Sequence, residues 1–469
     1  MIAQLKPYDQ YQPTGQNWLP EVPGSWVLGP GSLAFSKRKA KRLEASSAQV
    51  LSLSYGQIVV KPEEAQHGLV PDSYDTYQVV SVGDIIVRGT DLQNDKTSKR
   101  IGLAFDDGII TSAYLCLRPT HRISAEYGYL LLKVFDERKE LYRYGSGLRQ
   151  NLDHGDLKRL PVFIPSAEEQ DAIVRFLKYA NERIDRFVRS KRKLIALLEE
   201  QKQAIINQAV TRGLDLDVPL KPSGISWLGD IPTHWEVRRA KQLCNSIVDC
   251  KNRTPPQVDD GSFTVVRTTN IRDGEFRPEG SFRTDSQSYD KWTERGAPRP
   301  GDVFFTREAP VGEACEVPEV PGLCMGQRMM YFRPSTELNP RFLVFSIYGP
   351  VVRTYIEHAV NGSTVGHLRL GQVGAIPLLW CPAPEQERII QYLDSELKPV
   401  DETIVRTRAE IHLIEEYRTR LISEVVTGQL DVRGAEVPVT HDEDTTLDEL
   451  LGERTSEFEE KLEFTEAEV

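Results

Sequence analysis

The sequence predicts an α+β protein written in two halves. Two mixed domains alternate with two long helices that pack as an antiparallel coiled-coil spacer, in a pseudo-two-fold internal repeat. Three observations carry this. Residues 161–215 align on 377–431 without a gap, with about a third of the positions identical. A shorter match opens each half, "WLPEVPGSW" at Trp18–Trp26 and "WLGDIPTHW" at Trp227–Trp235. Both aligned stretches space their apolar residues by three and four, the signature of a helix with one buried stripe. A long unit stated only twice excludes a solenoid.

The elements follow in order. Residues 1–160 read as the first mixed domain, with strands in Asp75–Arg88 and a helix over Glu126–Tyr144. Residues 161–215 form the first rod, whose stripe is Ile173, Leu177, Ile184, Leu194, Leu198 and Ile205. Ser166 and Glu169 resemble a capping box at its start, and Gly213 marks its stop. Residues 216–235 read as a linker and the opening of the second repeat. Residues 236–376 form the second mixed domain, with a strand at Gly301–Arg307 and a helix over Asn339–Val360. Residues 377–430 give the second rod, striped by Ile389, Leu393, Val400, Ile411, Ile414 and Leu421. Pro399 lies inside it, and a bend or restart is expected there. Residues 431–469 read as an acidic, disordered tail.

A narrow-striped rod is not stable alone in water, so the two rods are expected to cover each other. Further echoes lie between the matched ends: "VGDIIVR" at Val82 against "PGDVFFT" at Pro300, and "YLCLRPT" at Tyr114 against "MYFRPST" at Met330. Elsewhere the two mixed domains diverge. A shared frame with unlike inserts suggests related modules that recognise different things.

Composition fits a cytoplasmic protein with real cores: 469 residues, 39% hydrophobic, mean hydropathy −0.40. No apolar run approaches a membrane span, and the first residues lack the pattern of a secretory signal. The six cysteines include no C-x-x-C pair, so no structural zinc site is expected. The net charge of −11 resides wholly in the tail, which carries 14 acidic and 3 basic residues from Asp431 onward. The body is neutral, which permits a nucleic-acid partner through local patches but predicts weak binding by this chain alone.

Catalytic signatures are missing. No phosphate-gripping glycine loop, H-E-x-x-H or G-x-S-x-G occurs. "TPPQ" at Thr254 lacks both ends of the N/D-P-P-Y/F motif of amino-methyltransferases and reads as a loop. Glu199/Glu200 and Glu415/Glu416 recur on the rods as solvated flanks of the stripe. No catalytic, metal or cofactor-binding residue is assigned.

Recognition candidates are basic and polar loop clusters. Lys and Arg grip phosphates, while Arg on guanine and Asn or Gln on adenine read base edges. The first half offers Lys37, Arg38, Lys96, Lys99, Arg100, Arg149, Gln150 and Asn151. The second offers Arg267, Thr268, Thr269, Asn270, Arg307, His367 and Arg369. His367 and Arg369 close "NGSTVGHLR" from Asn361, near the repeat position of the "GSGLRQNL" loop from Gly145. The alternative for any one cluster is ordinary solvated surface.

With these motifs in place, the chain resembles the DNA-specificity subunit of Type I restriction–modification enzymes over about residues 17–430. The carriers are "VPGSW" and "IPTHW", "GD" at Gly83–Asp84 and Gly301–Asp302, and the segments Ser166–Gln170 and Pro382–Gln386 that close on E-Q. "AVTRGL" and "VVTGQL" end the rods. Val22 before proline, a longer N-terminal lead and the acidic tail depart from the pattern. The resemblance implies that each mixed domain is a target-recognition domain reading one half of a split double-stranded DNA target. It implies that the rods fix the spacer at about one helical turn, ~34 Å. Two methyltransferase subunits and the restriction–translocase subunits would be the partners, carrying S-adenosylmethionine, ATP and Mg, and the chain itself would be no enzyme. Two rival readings are a coiled-coil DNA-binding regulator acting without catalytic partners, and a single-chain methyltransferase or nuclease.

Overall fold

The computed structural model describes residues 5–38, 49–61, 77–95, 99–360 and 366–438. The chain divides into two compact units. One comprises Met1–Lys191 with Ala409–Val469, the other Arg192–Arg408. The boundary between these units falls inside each rod. The rods are continuous helices, Ala167–Arg212 with 46 residues and Ala383–Val426 with 44.

In the first unit, β-branched and aromatic segments build a four-stranded antiparallel sheet in the order Phe35–Lys37, Leu115–Pro119, Ile85–Val87, Ile101–Leu103. Helix Ala125–Glu137 buries Tyr127, Leu130, Leu131, Val134 and Phe135 in the core. Strand Pro161–Ile164 pairs with Val27–Pro30 and leads into the first rod. In the second unit, the sheet order Cys244–Asp249, Met329–Pro334, Val303–Arg307, Val311–Glu316 repeats that arrangement. Strand Pro377–Trp380 pairs with Glu236–Arg239 and leads into the second rod. The second unit also carries a three-stranded sheet, Phe282–Thr284, Phe263–Val266 and Leu323–Met325, next to helix Ser286–Trp292. The matching region of the first unit is the hairpin Leu51–Ser54 with Gln57–Val60 and the pair Tyr77–Val80 with Gly108–Thr111. The inserts differ as expected.

One bonding pattern occurs in both units at the start of the rod. The Trp26 indole N–H donates to Glu169 at 2.9 Å, and that of Trp235 donates to Glu385 at 3.1 Å. Each tryptophan closes a turn by donating its backbone N–H to a proline carbonyl, Trp26 to Pro23 and Trp235 to Pro232, both at 3.0 Å. The neighbouring glutamine then grips three backbone groups. Gln170 accepts from the Ser124 N–H and donates to the carbonyls of Arg122 and Pro165. Gln386 accepts from the Asn339 N–H and donates to those of Glu337 and Cys381. Ser124 and Asn339 are the N-caps of the two domain helices. Both glutamines are nearly fully buried. E-Q thus locks sheet, domain helix and rod together. The far end of the other rod closes each assembly. Gly428 lies against Pro23 and Trp26, and Gly213 against Trp235 and Glu385; both adopt left-handed φ, +71° and +73°.

Several expectations are corrected. Ser166 accepts from the Glu169 N–H, but the Glu169 carboxylate turns to Trp26 and to the Tyr8 hydroxyl, so the capping box is half-made. The second rod passes through Pro399 without a restart. Residues 339–360 form two helices, Pro340–Tyr348 and Pro350–Val360, because Gly349 is extended and Pro350 opens the second. Residues 216–235, expected as a linker and the opening of the second repeat, contain a hairpin, Leu220–Pro222 with Asp230–Pro232, that buries Ile231 and leads directly to buried Trp235.

The stripe is continuous in sequence and graded in burial. Ile173, Leu177, Ile184 and Leu421 are buried in the first unit, and Ile389, Leu393 and Val400 in the second. Leu198, Ile205, Ile411 and Ile414 are half-buried, and Leu194 is exposed. Ile173, Leu177 and Leu421 join the core of the first unit and Ile389 and Leu393 that of the second, against which half-buried Ile205 also packs. Ion pairs link the rods within each unit and run antiparallel. Asp185 meets Arg418 and Lys191 meets Glu410 in the first unit. Glu199 meets Arg408 and Lys202 meets Asp401 in the second.

The two clamps should differ in strength. Trp26→Phe leaves the carboxylate of buried Glu169 one donor short, and is expected to cost about 1–3 kcal/mol. Trp235→Phe should cost less, because the Glu385 side chain is 23% exposed and keeps His234 at 2.8 Å. Denaturant midpoints of both variants check this; an unchanged midpoint for Trp26→Phe would discard the clamp.

Candidate nucleic-acid interface

Each "GD" shapes the strand that leads to the candidate surface. Gly83 and Gly301 turn with φ +85° and +88°. The Asp84 carboxylate accepts from the Ser81 N–H at 2.8 Å and that of Asp302 from the Arg299 N–H at 3.0 Å, capping the turn. Each aspartate is buried and held by an arginine, Asp84 by Arg38 and Asp302 by a two-pronged contact from Arg333 at 2.8 and 2.7 Å. Burial raises Asp84 from its ordinary range while Ser81 and Arg38 oppose the shift. Asp302 in turn holds Arg333 in its charged form. Arg38, a recognition candidate, is thus a structural partner: its guanidinium spans Asp84 and Ser81.

The strand that follows ends in a loop, and in both units that loop is tied to a second one far along the chain. The Leu152 N–H donates to the Gly89 carbonyl at 2.7 Å, and the Leu368 N–H to the Arg307 carbonyl at 3.0 Å. Leu152 and Leu368, which end the matching segments of the repeat, therefore hold the same place on the frame. In the first unit, Arg149 and Asn151 are exposed and Gln150 is half-buried. Asn151 accepts from the Asp91 N–H, fixing its amide. Arg88, also exposed, joins this rim; sequence reading missed it, although it stands near the repeat position of Arg307.

Arg100 lies underneath. Only 5% exposed, it donates to the carbonyls of Arg88, Thr90 and Asp91 and pairs with Asp95 at 2.9 Å. It shapes the rim and presents nothing to a base. Lys99 is half-buried, 5.8 Å from the Tyr55 ring centre. Lys37 is exposed and close enough to His154 to depress its protonation, after burial and together with Lys158. Lys37 and Lys158 thus form a small cationic patch suited to a phosphate, beside a His154 whose charged form is disfavoured. Lys96 lies outside the described residues, as do residues 361–365 and the tail from 439.

In the second unit, Arg307 is largely covered, its guanidinium held by Asp249 at 3.3 Å and Asn252 at 3.2 Å. Asn270 is fully buried and saturated: it accepts from the Arg267 N–H and donates to the carbonyls of Arg277 and Glu279. Both leave the set of base-reading candidates for this reason. Arg267 and Thr269 are exposed, with Thr268 half-buried between them. The Gly326 N–H donates to the Val266 carbonyl, setting the Arg267 loop beside Gln327 and Arg328. Arg328, a left-handed residue at φ +71°, reaches Glu308 at 3.1 Å and was not singled out from sequence. His367 stands 3.7 Å from the same carboxylate, and Arg369 is exposed.

All six cysteines are buried and unpaired. Among the described residues no helix is long and apolar enough to cross a membrane. The "TPPQ" stretch, residues 254–257, is irregular chain.

One titration follows from the Arg100 frame. Asp136 is buried, accepts from the Arg100 backbone N–H at 2.9 Å, and is pushed up to about 6, chiefly by burial. Its folded pKa is raised, so its contribution to stability is present below its ordinary pKa of 3.8 and lost as pH rises through about 6. Asp136→Asn should flatten that part of the stability–pH curve, by about 1–3 kcal/mol between pH 4 and 7. Parallel curves for both proteins would contradict this.

No family model matches the sequence. The chain is 24% identical over 327 residues to the type I restriction enzyme MjaX specificity subunit of Methanocaldococcus jannaschii, a provisional name; the match covers 68% of this chain and 71% of the relative. It is 20% identical over 334 residues to the type I restriction enzyme MjaVIII specificity subunit of the same organism, covering 70% and 75%. Its fold matches a solved chain described under complex assembly and conformational transition of the type I R-M system. That match has a TM-score of 0.62 and 17% identity, and covers 87% of this chain and 99% of the other.

Proposed function

We propose that this relative of type I restriction enzyme specificity subunits is a DNA-recognition subunit, non-catalytic by itself, that reads a bipartite asymmetric target. The observation that carries the proposal is the repeated rim. In each unit the far end of the "GD" strand is bonded to a leucine distant in the chain, Gly89 to Leu152 and Arg307 to Leu368, and exposed arginines and amides stand beside that junction on a common frame. Arg149, Gln150, Asn151 and Arg88 would read one half-site; Arg267, Thr269, Gln327, Arg328 and Arg369 would read the other. Lys37 with Lys158 would grip phosphate. The frame is the same and the inserts are not, which suits two different half-sites.

In this reading the rods are paired in pseudo-two-fold fashion and act as the spacer, fixing the distance between half-sites. Two methyltransferase subunits would bind S-adenosylmethionine and modify adenine, extruding it from the stack. Restriction–translocase subunits using ATP and Mg would cut unmodified DNA, all in the cytoplasm. The neutral body leaves much of the phosphate neutralisation to these partners. A regulator working alone would need a stronger cationic surface than the described residues offer.

The test is methylome sequencing of cells that express the chain with its methyltransferase. A single split, asymmetric adenine-methylated motif is expected. Exchanging residues 236–376 for a different module should change one half of that motif and leave the other half and the gap intact. A change in both halves would overturn the modular reading.

A further inference from the structure

The first rim carries a residue that neither the fold nor base-edge recognition uses. Leu148 is 95% exposed, well beyond the other exposed large apolar side chains among the described residues. Its loop is not loose. Ser146 and Asn151 exchange both backbone hydrogen bonds at 3.0 and 2.9 Å, and the Gln150 N–H closes a four-residue turn on the Gly147 carbonyl at 3.1 Å. Leu148 and Arg149 are the two central residues of that turn. Gly147 at φ +76° and Gln150 at φ +48° shape it. A side chain at Gly145 would strike the Gln150 carbonyl at 2.7 Å, so the hairpin base is closed as tightly as glycine allows. Asp91 and Gly89 then anchor it to the neighbouring loop.

The result is a stiff hairpin that holds one apolar side chain in water, next in the chain to exposed Arg149, with its base bonded to Gly89 after exposed Arg88, and with no carboxylate between Gly145 and Leu152. An apolar tip flanked by cations complements a polyanion with an apolar interior, which is the stacked interior of a duplex behind its phosphates. Apolar wedges on DNA-binding proteins enter between base pairs and unstack them. We propose that Leu148 is such a wedge: it inserts between two adjacent base pairs of the half-site read by the first unit, while Arg149 anchors the phosphate or base edge beside it. The proposal rests on the DNA-recognition reading above and adds a positioning residue to it.

The experiment uses the full chain in complex with its methyltransferase, on a duplex carrying the motif found by methylome sequencing. 2-Aminopurine replaces one base at a time across the first half-site. The native complex should give a fluorescence rise of about twofold or more at one step. Leu148→Ala should abolish that rise and weaken binding about tenfold, Leu148→Phe should retain the rise, and both should keep the native melting temperature. Undiminished fluorescence and affinity in Leu148→Ala would overturn the proposal. So would native fluorescence and affinity with loss of the methyltransferase, which would make the turn a protein-docking point. If the native complex itself binds the duplex without motif preference, the DNA-recognition reading fails first, and the wedge with it.

Discussion

The interaction on which the rest depends is the bond from a buried tryptophan indole to the glutamate that opens each rod. It forces a choice of geometry. Trp26 is 3% exposed and Trp235 fully buried, and leaving an indole N–H sealed from water without an acceptor costs about 1–3 kcal/mol. The acceptor is a carboxylate on the first turn of a helix more than forty residues long, so the rod leaves the domain at a fixed angle. The adjacent glutamine, with one acceptor and two donors all engaged, ties in the N-cap of the domain helix. These few bonds connect sheet, helix and rod, and they recur in both units with the same donors and acceptors.

From that frame the candidate surface follows outward. The buried aspartate of each "GD" sets the start of a central strand, and the strand delivers its far end to the rim. In the first unit Arg100 spends its donors beneath the rim, and in the second Asn270 does so beneath the Arg267 loop. The polar groups at the surface are thus held by buried ones that never reach it. Preorganisation of this kind limits the ordering cost of recognition and makes the two rims separately variable, since each is anchored within its own unit.

Much of the frame was legible in the sequence because a repeat writes its essential residues twice. The rods and the paired "GD" strands could both be read by comparing the halves. The meaning of E-Q could not. Glu169 looks like a capping-box residue, and only the fold brings Trp26 and Tyr8 to it. The site was read less well. Side-chain chemistry made Arg38, Arg100, Arg307 and Asn270 plausible readers of DNA, yet pairing with distant Asp84 and Asp249 commits Arg38 and Arg307 to the frame, and nearer partners, Asp95 and the Glu279 carbonyl, do the same for Arg100 and Asn270. Arg88 and Arg328 were overlooked because no cluster marks them; their exposure depends on loops that meet only in the folded chain. Pro399 shows the same limit: local cost alone predicts a bend or restart, and one helix runs through it from Ala383 to Val426.

The central claim is that two separately anchored rims read two separate half-sites. Missing-base interference on the methylated motif, with the chain bound beside its methyltransferase, tests it most directly. The account predicts two clusters of required bases flanking an indifferent gap of about one helical turn, with Arg149→Ala weakening the signal in one cluster alone. A single continuous cluster, or equal loss in both clusters from that one substitution, would contradict it.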